Sequence, residues 1–401
     1  MNIKAKLSIM MFFEFFIWGA WFVTMGTYLG SFMSSTGSQI GMAYGTQSWG
    51  AIVAPFIIGL IADRFFNAEK IFSFLHITGG ILMYLLYQSQ SFDNFYPLLL
   101  IYMIIYMPTL SLANSIAFQH LKNPIKEFAS IRVWGTLGWI LVGLSISYIF
   151  NWDSADGIAK GMLKNTFLMT SIGSVMLGLG ALLLPSTPPN SKGKKDIDLK
   201  KILGFDALKL FLDRNYLIFF ISSILICIPL AFYYSYTNPF MVDIGIENPT
   251  GKMTIGQISE VLFMLLLPLF FKKYGFKNTI LIGMLAWAVR YFLFAMGDGG
   301  SMTFLIITGI ALHGLCYDFF FVSGQIYTNA KADDAIKSSA QGIITLATYG
   351  IGMLIGFWAS GKIVDLYNGD WKIIWMYPAI FSLVVMVLFG LFFKKESVDY
   401  K

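Results

Sequence analysis

Charge is what this chain has least of. Only 12% of its 401 residues are Asp, Glu, Lys or Arg, about half the share in a soluble domain. Cysteine is scarce: Cys227 and Cys316 lie in apolar runs, without the spacing of a disulfide framework or a metal site. The three histidines, His76, His120 and His313, are far apart in the chain. With no H-E-x-x-H pattern and no nucleophile–base set, a membrane-embedded enzyme is not expected. No Walker A sequence and no soluble domain is evident, so ATP is not the expected energy source and no cofactor or metal is expected. The net charge of +6 is dispersed through loops, which argues against a nucleic-acid surface.

Apolar surface is what the chain has in excess: 57% of its residues are hydrophobic, with 38 Phe, 20 Tyr and 10 Trp. Several runs reach the ~20 residues that cross a bilayer of about 30 Å. The first, from Ile9 past Met25, is too long for a signal-peptide core and reads as a retained helix. Hydropathy places spans at 7–32, 41–62, 71–89, 95–118, 129–150, 164–185, 213–236, 254–271, 278–297, 302–329, 337–364 and 372–393. The expected fold is an all-α membrane protein of twelve transmembrane helices in two six-helix bundles.

The longest polar insertion, 186–212, separates an N-terminal bundle (1–185) from a C-terminal one (213–401). Its second part reads as an amphipathic helix on the membrane surface, with Lys200, Lys201 and Lys209 on the polar side. With both termini in the cytoplasm, 21 basic residues fall on the cytoplasmic side. Only Lys160, Lys164, Lys252, Lys362 and Lys372 fall opposite. That asymmetry sets the orientation. Two bundles joined by a cytoplasmic loop are the layout of a secondary transporter in a cell membrane, rocking around a central site. It is expected to act as a monomer in the lipid bilayer.

Ionisable residues inside membrane spans are costly and mark solute or proton paths. Arg132, Thr136 and Trp139 follow one another at i, i+4 and i+7 on span five. They share one helix face, offering a cation, a hydroxyl and a flat ring; alternatively, Arg132 snorkels to the cytoplasmic surface. Gln257 and Glu260 share a face of span eight, and an amide beside a carboxylate suits hydroxyls and ring N–H groups. At 1.5 Å per residue, Glu260 and Arg290 lie about 9 and 10 Å below the outer ends of spans eight and nine. An ion pair between them is therefore open. Asp318, beside Tyr317 on span ten, is a candidate proton carrier, with His313 one turn earlier. Glu14, one turn before Trp18, is a second buried acid; it reads equally as a proton site or an interfacial anchor. Asn114 and Asn238 are weaker polar candidates. Pro108 and Pro229 are possible helix breaks. The run Gly352, Gly356, Ser360 reads as close helix packing.

The stretch from Gly59 through Asp63 to Arg64, GLIADR, resembles the loop fingerprint of the major facilitator superfamily, a conformational lock in which Asp63 caps a neighbouring helix and Arg64 pairs across the loop. The matching second-half loop keeps its basic residues and lacks the acid. Seven stretches carry a sharper resemblance: FFIWGAWFVTMGTYL, YMPTLSLANSIAF, IRVWGTLGW, GQISEVLFMLLLPLF, WAVRYFLFA, HGLCYDFFFVSG and SAQGI. In this order they resemble the nucleoside:proton symporter family of that superfamily. The resemblance implies inward transport of nucleosides with protons. It also implies a substrate site on Arg132, Thr136, Trp139, Gln257, Glu260, Tyr317 and Asp318. From the residues themselves, Asp318, Glu260, Arg290 and Glu14 are the candidates for proton coupling. Characterised members carry polar side chains on helix seven, where this chain has Ala231 and Tyr234; the ligand's identity stays open there. A sugar:proton symporter of the same superfamily is the nearest alternative, and export of a drug-like solute a third.

Overall fold

A computed structural model describes residues 2–57, 66–189, 205–333 and 336–396. Every regular element among them is helical, as lipid demands, because a helix satisfies its own backbone polar groups. Nine helices among the described residues are long and apolar enough to cross a membrane. Span one, Ile3–Met33, is interrupted at residues 22–24. The longest, Pro249–Met296, turns at Gly275, whose φ of 75° favours glycine. Gly37–Ile57 and Asn165–Ala181 are further helices of 21 and 17 residues.

Large apolar side chains lie exposed while several ionisable ones are buried. Leu183, Leu265 and Leu391 are more than 70% exposed, whereas Glu14, Arg290 and Asp318 are completely buried. Apolar surface turned outward suits a hydrocarbon solvent, and ionisable groups turn inward.

The chain forms two compact units. One comprises Met1–Ser35, Thr46–Asp198 and Glu247–Gly251; the other comprises Thr36–Gly45, Leu199–Ile246 and Lys252–Lys401. In the first, Gly138 lets span five press on span one, since a Cβ there would meet the Phe12 carbonyl oxygen at 2.2 Å. In the second, Gly352 and Gly356 lie against the backbone of Arg214–Asp243, where an added Cβ would meet the Ile224 and Ile228 carbonyls at 2.5 and 2.7 Å. The small-residue run is a packing seam, as its spacing indicated.

The prolines do not break their helices. Phe92–His120 runs on through Pro108, and Arg214–Asp243 through Pro229. The Pro229 carbonyl accepts the Tyr291 hydroxyl at 2.6 Å, a side-chain bond of the kind that makes proline tolerable in a membrane helix. Irregularity appears instead as widened π turns at Ser145–Ile149, Asp318–Val322 and Leu346–Gly352, a feature frequent at functional sites.

Carboxylates cap helix starts in both units. Asp365 accepts the backbone N–H of Gly37 at 2.5 Å and of Ser38 at 2.8 Å, and the Ser38 hydroxyl as well. Asp153 accepts the N–H of Thr250 at 2.9 Å and the Ser147 hydroxyl at 2.6 Å, while Gly251 N–H donates to Ser147 Oγ at 2.7 Å. These bonds satisfy donors that a helix start leaves open. Asp365→Ala is therefore expected to cost about 1–2 kcal/mol. Asp370→Ala, which loses one N–H bond of 3.2 Å, is expected to cost less. Thermal unfolding of the purified variants orders the two; equal midpoints would remove Asp365 as a cap.

In the second unit Lys331 bridges Asp213 at 2.6 Å and Glu396 at 2.8 Å, and the Tyr327 hydroxyl donates to Glu396. Burial works to raise the Asp213 carboxyl, yet its bonds from Lys331 and from the N–H groups of Tyr216 and Asn215 hold it below the ordinary carboxylate value. Of the expected amphipathic segment, Lys200 and Lys201 lie outside the described residues. Phe205–Leu212 is a short 3-10 helix that buries Ala207 and Leu210 and pairs Lys209 with Asp333 at 2.9 Å. Gly59, Asp63 and Arg64 also lie outside the described residues.

Candidate functional site

Span five divides its surface three ways. Gly135 and Gly138 pack on span one, Val133, Trp134 and Leu137 are exposed, and Arg132, Thr136 and Trp139 share the remaining, half-buried face. The i, i+4, i+7 pattern thus describes a real face. Arg132 places its guanidinium carbon over the Phe15 ring, 3.8 Å from its centroid. That cation–π contact fixes the guanidinium on span one. Trp139 meets Trp18 edge to face, centroids 5.7 Å apart. Phe15 and Trp18 therefore belong to this aromatic wall, although nothing in their own spacing singled them out.

Glu14 turns into the first unit. Its Oε2 lies 2.8 Å from His76 Nε2, its Oε1 lies 2.6 Å from Thr109 Oγ1, which also has the Tyr106 carbonyl at 2.6 Å for its one hydrogen, and its backbone carbonyl accepts the Tyr106 hydroxyl at 2.7 Å. Ser174 donates its one hydroxyl hydrogen to the His76 carbonyl at 2.9 Å. It must then accept from His76 Nδ1–H, 3.1 Å away. The remaining Nε2···Oε2 contact then needs a proton between the two atoms. An interfacial anchor would be partly exposed, and both side chains are completely buried. His76 is a partner the sequence did not single out.

In the second unit, spans eight and ten cross at small residues. A Cβ on Gly314 would meet Glu260 N at 2.4 Å, and Gly314 N–H donates to Ser259 Oγ at 2.9 Å. This crossing brings Glu260 beside span ten. Gln257, Glu260, Tyr317, Tyr234 and Tyr349 are all half-buried. The Tyr317 and Tyr349 hydroxyls are 2.6 Å apart. Ala231, by contrast, is fully buried, packed where Gly356 passes, so of the two helix-seven positions Tyr234 is the accessible one.

Arg290 takes partners other than the one its depth allowed. Its Nη1 lies 3.1 Å from His313 Nδ1, and its guanidinium covers the Tyr233 ring at 3.4 Å. Among the described residues Nε and Nη2 have no hydrogen-bond partner, and the described ion pairs include none between Glu260 and Arg290. His313 Nδ1 faces a guanidinium that only donates, so Nδ1 is the accepting nitrogen. Asp318 stands at the start of a π turn, completely buried, and among the described residues neither carboxyl oxygen has a hydrogen-bond partner. Such groups are rare in folded chains and call for a role or a partner. Asn238 is buried, its amide directed to Met253 Sδ at 3.9 Å.

Comparison with known proteins narrows the chemistry. Residues 1–398 match the sequence profile of the family described as Nucleoside H+ symporter. The chain is similar to the putative nucleoside transporter YegT of Escherichia coli strain K12, 41% identical over 99% of this chain and 95% of that protein. The nucleoside permease NupG of the same strain is 31% identical, over 99% of this chain and 97% of its own length. A crystal structure of nucleoside transporter NupG superposes with a TM-score of 0.87 at 31% identity, covering 99% of this chain and 100% of that one.

Proposed function

The chain belongs to the nucleoside H+ symporter family, its function is proton-coupled nucleoside uptake and not enzymatic turnover, and we propose which residues perform it. The substrate set is Arg132, Thr136, Trp139, Gln257, Glu260, Tyr317 and Asp318. Arg132, Gln257 and Glu260 hydrogen-bond ribose and base, and Trp139 and Tyr317 offer flat rings for offset stacking. Asp318 and Glu260 carry the coupled proton, with Arg290 and Glu14 as further members of the proton-linked set. Gly59, Asp63 and Arg64 form the conformational lock, and the protein works by alternating access between halves 1–185 and 213–401, joined by 186–212. Counting both legs of Pro249–Met296 and adding Gly37–Ile57 and Asn165–Ala181 gives twelve crossings. The loop charges support cytoplasmic termini in a cell inner membrane, and the protein functions as a monomer in lipid.

The observation that carries this reading is the half-buried Gln257–Glu260 face on a chain whose whole length matches the family. A thermal-shift panel of nucleosides, nucleobases and sugars on the purified protein tests it. Uridine or adenosine is expected to raise the unfolding midpoint, and sugars are not. Stabilisation by sugars with nucleosides silent would overturn it in favour of a sugar symporter.

A further inference from the structure

Resting on Arg132 as a nucleoside contact, we infer that Phe15 is a positioning residue for that contact: its ring holds the Arg132 guanidinium turned toward the middle of span five and occupies none of its N–H donors. Side chains on a helix lean toward the turn before their own Cα. Arg132 stands near the start of the span Glu127–Ile149. That lean, and the preference of a charge for water, would both carry it back to the membrane surface. The Arg132 side chain does the opposite. Its Nη1 lies 2.8 Å from the place a Cβ on Gly135 would take, almost one turn further into the span. Phe15 Cδ2 lies 2.6 Å from the same place, and the guanidinium carbon sits 3.8 Å from the ring centroid. Gly135 thus leaves the room in which ring and cation meet, and a side chain there would displace one of them.

A ring suits this task better than an acid. A carboxylate set in bidentate fashion would occupy two of the five guanidinium N–H groups and neutralise the charge. An aromatic face attracts the cation through its quadrupole and leaves the in-plane donors unoccupied by the contact. Span one treats the other end of the face in the same way. A Cβ on Gly19 would meet Trp139 Cδ2 at 2.9 Å, so the Trp139 ring enters a gap on span one as the Phe15 ring enters one on span five. Trp18 contacts both rings, with centroids 6.3 Å from Phe15 and 5.7 Å from Trp139. Phe15, Trp18 and Gly19 therefore set the placement of the Arg132–Trp139 face, and Phe15 is the member that acts through a charge.

The test is equilibrium binding of uridine and adenosine to the full-length protein in lipid nanodiscs, with an unfolding midpoint for each variant. Phe15→Leu keeps apolar bulk and removes the ring. It is expected to weaken both nucleosides about tenfold, the scale of one partly desolvated cation–π contact. Phe15→Tyr keeps a ring face and is expected to bind within about threefold of the parent. In an Arg132→Gln background Phe15→Leu is expected to cause no further loss, because its effect passes through the guanidinium. A packing role alone would add its loss to that of Arg132→Gln. Gly135→Ala fills the shared place from span five; it is expected to weaken binding in the same way and carries the test if Phe15→Leu does not fold. Parent-like affinity in a folded Phe15→Leu, or additive losses in the double variant, overturns the inference. Parent-like affinity in Arg132→Gln overturns the substrate role of Arg132, and the inference with it. A parent that binds neither nucleoside overturns the functional reading itself.

Discussion

Replacing Glu260 by Gln is expected to abolish gradient-driven nucleoside accumulation while the protein still inserts and folds. The substitution keeps the shape of the side chain and changes two properties. A carboxylate accepts through both oxygens; the amide accepts through one and donates through the other end. A hydroxyl donor that met the second oxygen now faces N–H groups. Hydrogen bonds to a charged group contribute about 1.5–3 kcal/mol, so nucleoside binding is expected to weaken about 10- to 100-fold. The amide also cannot take up or release a proton, so the share of proton coupling that Glu260 carries is lost. Glu260 is half-buried, which makes a folding defect a minor part of the effect. The measurement is uptake at equal membrane abundance, with a melting curve alongside. Uptake equal to the parent's would remove Glu260 from both the substrate and the proton sets.

Glu14→Ala is expected to act through stability. Glu14 and His76 are completely buried and hydrogen-bonded to each other at 2.8 Å. Truncating the acid deprives His76 Nε2 and the Thr109 hydroxyl of a partner and opens space between spans one, three and four. Breaking a buried pair by deleting one member costs about 3–5 kcal/mol. Low yield and a markedly lower unfolding midpoint are therefore expected. Glu14→Gln, which preserves volume and can donate to His76 Nε2, should recover most of that loss. Uptake by this milder variant then isolates the proton role: fold retained with the pH dependence gone supports Glu14 in coupling, and an unchanged pH dependence assigns it to structure. An unfolding midpoint for Glu14→Ala equal to the parent's would contradict the geometry itself.

Local regularities made part of this legible in the sequence. The face carrying Arg132, Thr136 and Trp139 and the pair Gln257–Glu260 follow from helical spacing alone, as does the packing seam at Gly352 and Gly356. Contacts between distant positions were not legible. His76 is 62 residues from Glu14, and Asp365 caps a helix start 328 residues away, so neither pairing leaves a local pattern. Tyr349 sits in an apolar stretch where a phenol reads as an interfacial ring. Proline misled for a physical reason: it removes one helix bond, but neighbouring helices in a bundle can supply another, as Tyr291 does at Pro229. The π turn at Asp318 has no such signal, because it inserts no special residue. Depth along a helix did not decide the Glu260–Arg290 pair either, since depth says nothing of rotation about the axis. Arg290 faces His313 and Tyr233.

Uptake of radiolabelled uridine and adenosine into proteoliposomes, with and without an imposed pH gradient, tests the central claim most directly. With the outside more acidic, the lumen is expected to fill several-fold above the external concentration, and a protonophore should return it to equilibrium. Filling to the same level whether or not a gradient is present would contradict proton-coupled transport by this chain.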